Sequence, residues 1–155
     1  MTSPEQQLVE LGIQLPPPSV PKGAYRSVVV AGGLASTAGH LPTYPDGGLV
    51  VGKVGLQLDT QAGYEAARLA GLAILASVRA ELGSLDRVKR LIKVLGLVNC
   101  PADFTDHPAV INGCSELFRD VFGADAGTGA RSAVGVVSLP LGVAVEIEAV
   151  FEVLL

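Results

Sequence analysis

Apolar and polar positions along the chain predict an α+β domain in the order β β α β α β β. The strongest signal lies over residues 59–82, where Ala66, Leu69, Ala70, Ala73, Ile74 and Ser77 fall near one side of a helix. Asp59 is its candidate N-cap and Gly83 its stop. A second helix is predicted over 110–122, with Val110, Ile111, Cys114, Leu117, Phe118 and Val121 recurring at helical steps before Gly123. Strands are expected at 25–31 and 34–38, split by Gly32-Gly33 in a hairpin turn, and at 88–99, 132–139 and 143–154. In the last strand Val143, Val145, Ile147, Ala149, Phe151 and Val153 share one face, and Glu146, Glu148 and Glu152 share the other. Two main helices should therefore pack on one face of a mixed sheet.

Outside this pattern, residues 4–12 can form a short amphipathic helix, with Leu8, Val9 and Leu11 near one side. Pro16, Pro17, Pro18 and Pro21 then force an extended connector. Residues 1–22 thus read as an N-terminal extension on a single domain, 23–155. Residues 39–55 are rich in Gly and Pro and read as a surface loop.

Composition adds one tension. Charged residues are 17% of the 155, against about 25% in an ordinary soluble domain, while 49% are hydrophobic. No apolar run approaches the ~20 residues of a membrane span. The N-terminus lacks the basic and apolar regions of a signal peptide, so a cytoplasmic protein is expected. The surplus apolar surface then points to another copy of the chain, since obligate interfaces resemble a core cut in half. A net charge of −4, with three Tyr, four Phe and no Trp, disfavours nucleic acid as a partner.

Several chemistries are disfavoured. Cys100 and Cys114 have no CxxC spacing and are expected to pack in the core or an interface. His40 and His107 have no ligand-spaced partner, so no metal is expected. The stretch Gly127-Thr128-Gly129-Ala130-Arg131 resembles the start of a glycine-rich phosphate loop, but it precedes a strand where such a loop precedes a helix.

The tail carries the most informative motif: Ala130-Arg131-Ser132-Ala133-Val134, then Leu139-Pro140, then Val145-Glu146-Ile147-Glu148-Ala149. It resembles the signature of the RidA family, also called YjgF or L-PSP, the reactive-intermediate imine and enamine deaminases. Gly39-His40-Leu41-Pro42, Tyr25, Asp103-Phe104 and Asn112 with Phe118 fit further family segments. The resemblance implies a chorismate-mutase-like fold and a homotrimer with clefts between subunits. It assigns Arg131 to the carboxylate of a small ligand, Glu146 to the attacking water, Tyr25 and Asn112 to the pocket, and Gly39 to a backbone donor beside the carboxylate. The implied reaction is hydrolysis of small 2-imino or enamino acids to 2-oxo acids and ammonia, with no cofactor. Two departures stand out: Ala133 where relatives carry Cys, and His40 where they carry Gln. His40 is expected to supply a proton donor or acceptor in the cleft.

Plainer readings exist for the same residues. An arginine before a strand is ordinarily solvated, and Glu146 with Glu148 and Glu152 describes a charged sheet face. Whether Arg131 and Glu146 share a face depends on the register set by the turn at 139–142. A trimeric protein that binds or senses small carboxylates without turnover is the alternative function. An endoribonuclease is a third.

Overall fold

The computed structural model describes residues 2–155. Its longest helix, α2 (Thr60–Leu82), starts where the Asp59 side chain accepts the Ala62 N–H at 2.8 Å and ends at Gly83 in the left-handed region. That is the cap pair expected. A shorter helix at the N-terminus, α1 (Pro4–Glu10), is closed by a capping box between Ser3 and Gln6. Leu8 alone of its expected apolar face is buried, while Val9 and Leu11 are exposed. Glu5 anchors α1 by accepting the Leu85 N–H at 2.8 Å, and Leu8 enters the common core.

The strands are β1 (Val28–Ala31), β2 (Leu34–Thr37), β3 (Val88–Asn99), β4 (Ala130–Val136) and β5 (Val145–Val153), and the last main helix is α3 (His107–Phe122). They form one mixed sheet in the order β1-β2-β5-β3-β4, in which only β3 and β4 run parallel. A parallel pair needs a crossover, and α3 supplies it. Helices α2 and α3 cover one face, and the core lies between them and the inward residues Val94, Val98, Val145, Ile147 and Phe151. Among the described residues no helix is long and apolar enough to cross a membrane.

Several boundaries differ from expectation, with β4 ending at Val136 rather than 139 and β5 starting at Val145 rather than 143. Residues 25–27 precede β1 in a bend closed by Tyr25 N–H to Gly23 O at 2.9 Å. Helix α3 begins at His107, because Pro108 is tolerated in a first turn whose N–H groups lack helical acceptors. Strand β4 begins at Ala130, so Arg131 lies inside a strand rather than before one.

Among the described residues no helix covers the sheet's other face. Alternation places Glu146, Glu148 and Glu152 there, as expected, but β3 and β4 set Leu95, Leu97 and Val134 beside them. Val134 is exposed, and so is Val29 of β1. The face read as polar from β5 alone is therefore a mixture of carboxylates and aliphatic side chains, and it carries part of the composition's surplus apolar surface.

Candidate functional site

Arg131 projects from β4 toward the helices. It pairs across the ladder with Val94, which faces the core, and its Nη1 donates to Asn112 Oδ1 at 2.8 Å and Ser115 Oγ at 3.1 Å. Asn112 and Ser115 are three residues apart on α3 and so share a helix face. They hold one end of the guanidinium, while Nη2 and Nε make no hydrogen bond among the described residues. A planar carboxylate could take that free edge with two parallel bonds. The structure thus brings Arg131 and Asn112 together. Sequence reasoning misses Ser115, although its spacing from Asn112 is a usable signal. A cavity of about 260 Å³ adjoins the guanidinium, with Gly127, Thr128 and Gly129 on one wall and Ser115, Glu116 and Arg119 on the other.

Glu146 and Gly39 form a second constellation. A methyl group on Gly39 would lie 2.7 Å from Glu146 Cδ, so the carboxylate occupies space that only glycine leaves open. The flanking N–H groups of Ala38 and His40 donate to Ser27 O and Ile147 O, but the Gly39 N–H donates to no backbone group among the described residues. An exposed donor and a carboxyl group therefore stand side by side. Burial, and secondarily the nearby Glu148 carboxylate, push the Glu146 carboxyl above its usual range.

The register settles the question posed by the turn at 139–142. Arg131 pairs with Val94 and Val94 with Ala149, all on the helix side, whereas Glu146 pairs with Leu97 on the uncovered side. Arg131 and Glu146 lie on opposite faces, two strands and three residues apart, or roughly 14 Å between Cα atoms at ordinary sheet spacing. Tyr25 lies farther off. It borders a separate cavity of about 320 Å³ with Ser77, Ala80 and Glu81, beyond the β1 edge. Edges β1 and β4 are separated by four strand spacings, roughly 19 Å. One chain does not bring these residues together.

His40, expected to line the cleft, points the other way. Its side chain is buried, its Nδ1 donates to Ala38 O at 2.7 Å, and its Nε2 lies 2.8 Å from Ser77 Oγ on α2. A carbonyl can only accept, so Nδ1 carries the proton and Nε2 of the neutral ring accepts from the serine. An extra residue breaks the alternation: Thr37 bonds at Ala149 and His40 bridges Ile147, so three steps on one side match two on β5, and both side chains turn inward while Gly39 remains exposed. Burial, partly offset by the Ala38 bond, holds the ring below its ordinary 6.5. Because the folded state resists protonation, the His40 contribution to stability is full above 6.5 and is lost as pH falls toward the folded value. His40→Gln should flatten the decline in Tm between about pH 7 and pH 5, since one proton accounts for at most about 1.4 kcal/mol per pH unit. Equal slopes in thermal melts of the two proteins would contradict this.

Ala133 also faces the helices and packs against the core. The two cysteines are free and buried, and desolvation drives the Cys114 thiol far above its usual range. Among the described residues no three potential metal ligands cluster.

Comparison with known proteins decides the family. The profile described as "YjgF/chorismate mutase-like, putative endoribonuclease" matches residues 5–151. The chain belongs to the YjgF/chorismate-mutase-like family. The match begins inside the segment read as an N-terminal extension. Protein TCP17 of Trypanosoma cruzi is 42% identical over 145 residues, covering 94% of this chain and 91% of that protein. A structure from Shewanella oneidensis, titled a putative endoribonuclease, superposes with a TM-score of 0.92 at 30% identity, covering 97% of this chain and 99% of that one. Escherichia coli TdcF with bound serine is more distant, with a TM-score of 0.60 at 25% identity over 88% of this chain and 93% of that one. The YjgF-type fold expected from the tail motif is thus shared over 97% of the chain.

Proposed function

We propose that this protein hydrolyses small 2-imino or enamino acids to 2-oxo acids and ammonia in a cleft shared by two copies of the chain. The observation that carries this reading is the division of a carboxylate clamp and an acid–base group between two sheet faces. Arg131, held by Asn112 and Ser115, presents the clamp at the β4 edge. Glu146, beside the open Gly39 N–H, presents a carboxyl group on the uncovered face. Neither half is a site alone. A neighbour packed on that face would lay its β4 edge beside Glu146 and would cover Val29 and Val134. A closed ring of three copies, as the family resemblance implies, repeats that contact with no unpaired surface.

In this reading the Arg131 fork orients the ligand by its carboxylate. The Gly39 N–H donates to the same carboxylate, and ionised Glu146 takes a proton from water as it adds to the imine carbon. The C–O bond forms, the C=N pair moves to nitrogen and takes the proton back from Glu146, and collapse of the carbinolamine, its hydroxyl proton passing through Glu146 to the same nitrogen, expels ammonia and leaves the C=O of a 2-oxo acid. Because Glu146 must be ionised, activity should fall on the acid side with a midpoint above the ordinary 4.5. TdcF with bound serine supports a ligand bearing a carboxylate and an amino group.

The test is release of ammonia and 2-oxo acid from a 2-imino acid generated in place, with RNA cleavage followed in parallel. No acceleration over buffer by the wild-type protein, or cleavage of RNA instead, would overturn the proposal. The Gly39–Glu146 contact gives a finer check. Gly39→Ala should displace a flexible side chain rather than backbone, leaving Tm almost unchanged while lowering kcat about 10- to 100-fold. An unaffected kcat would separate Glu146 from the chemistry.

A second reading is favoured by Ala133, which replaces the family's thiol with a methyl group packed against the core. It makes the same cleft a binding site without turnover. A 2-imino acid analogue that raises Tm and is recovered intact, together with no acceleration, would support it.

A further inference from the structure

We infer that the cavity between α3 and the Gly127–Arg131 segment selects ligands carrying a second anionic group, with Arg119 as the residue that reads it. The inference rests on the proposed role of Arg131 and extends it to a substrate class, short-chain dicarboxylates.

The cavity of about 260 Å³ is lined by Arg131, Arg119, Asn112, Ser115 and Thr128 among others. Ser115 and Arg119 are four residues apart on α3, so their side chains leave the same helix face within about 6 Å of each other. Ser115 already touches Arg131 at 3.1 Å. Two guanidinium groups therefore line one small cavity, and a ligand whose first carboxylate meets Arg131 could offer a second to Arg119. The wall opposite α3 is the glycine-rich run singled out in the sequence. It contributes no helix N-terminus; its part is to keep the wall thin. A side-chain carbon at Gly127 would lie 2.4 Å from Phe118 O, and one at Gly129 would lie 2.9 Å from Ile92 O.

Two carboxylates compete for this positive charge. Asp120 accepts from Arg119 Nε and Nη2 at 3.3 and 3.2 Å, but both side chains are half exposed, and such pairs contribute little. Arg119 Nη1 makes no hydrogen bond among the described residues. Glu116 also lines the cavity, and its carboxylate accepts the Tyr64 hydroxyl of α2. That bond ties Glu116 to the neighbouring helix and keeps Tyr64 protonated. The cavity thus presents two arginines against one carboxylate that is already engaged.

The experiment measures affinity for two 2-oxo acids that differ in the second acid group, 2-oxoglutarate and 2-oxobutyrate, by calorimetry on the full chain. The wild-type protein is expected to bind 2-oxoglutarate about tenfold more tightly, the equivalent of one charge-assisted contact. Arg119→Gln should reduce that ratio to about one, weakening 2-oxoglutarate about tenfold more than 2-oxobutyrate. Tyr64→Phe, which frees Glu116, should weaken 2-oxoglutarate more than 2-oxobutyrate. Arg131→Ala should weaken both. Equal wild-type affinities, or a ratio that survives Arg119→Gln, would overturn the dicarboxylate inference while leaving the clamp intact. Unchanged affinities in Arg131→Ala would overturn the clamp itself. Absence of binding by either acid would overturn both.

Discussion

Arg131→Ala is expected to lower kcat/KM for imine hydrolysis roughly 10²- to 10³-fold while the protein stays folded. The residue is exposed and its fork faces the cavity, so the variant forgoes two charge-assisted hydrogen bonds to a carboxylate, about 3 to 4 kcal/mol together. The substitution also removes the hydrogen bonds to Asn112 and Ser115, which involve Nη1 alone and should cost stability about 1 kcal/mol. Arg131→Lys is expected to recover only part of the activity, because an ammonium supplies the charge without the planar fork. Steady-state kinetics with a monocarboxylic 2-imino acid checks this. A variant within threefold of wild type would remove the clamp from the mechanism.

The second large effect is expected at the crossing of α2 and α3. Gly113→Ala should lower Tm by about 10 °C or prevent recovery of folded protein. A methyl group there would lie 2.0 Å from Tyr64 O and 3.0 Å from Arg68 N, both backbone atoms of α2 that cannot turn aside. The two helices would have to separate, and overpacking of this kind costs about 3 kcal/mol or more, where each kcal/mol is worth about 2 to 4 °C in a chain this long. Without that contact the sign would reverse, since alanine is favoured over glycine inside a helix by about 1 kcal/mol. A raised Tm would therefore contradict the close crossing. The crossing matters to the site because Gly113 lies between Asn112 and Ser115, so parting α2 from α3 also moves the groups that hold Arg131.

Local signals account for most of the elements. Asp59 and Gly83 bound α2, and strict alternation from Val145 to Val153 sets the two faces of β5. The first strand is shorter than its sequence suggests because Tyr25 to Ser27, though β-prone, find no full ladder beyond Thr37, where β2 ends. At the site, the tail motif locates Arg131 and Glu146, and helical spacing from Asn112 points to Ser115. What local sequence does not encode is long-range. The relation of Arg131 to Glu146 passes through β3, which joins β4 by a parallel register and β5 by an antiparallel one interrupted by shifts near Val88 and Leu91. No segment of sequence specifies that by itself. His40 departs from its expected place for a related reason, since its inward direction follows from pairing with Ile147 more than one hundred positions away. The uncovered face is acidic when only β5 is considered, and becomes partly apolar once Leu95, Leu97 and Val134 are placed beside it.

The central claim is that Arg131 of one copy and Glu146 of another complete a single site. Arg131→Ala and Glu146→Gln should each be nearly inactive alone. Unfolding the two together in equal amounts and refolding them into mixed oligomers should restore activity to about a quarter of wild type, the fraction of contacts at which both native residues meet by chance. Activity that remains at the sum of the two separate variants would place both residues in one chain's site, or outside any site, and would contradict the account.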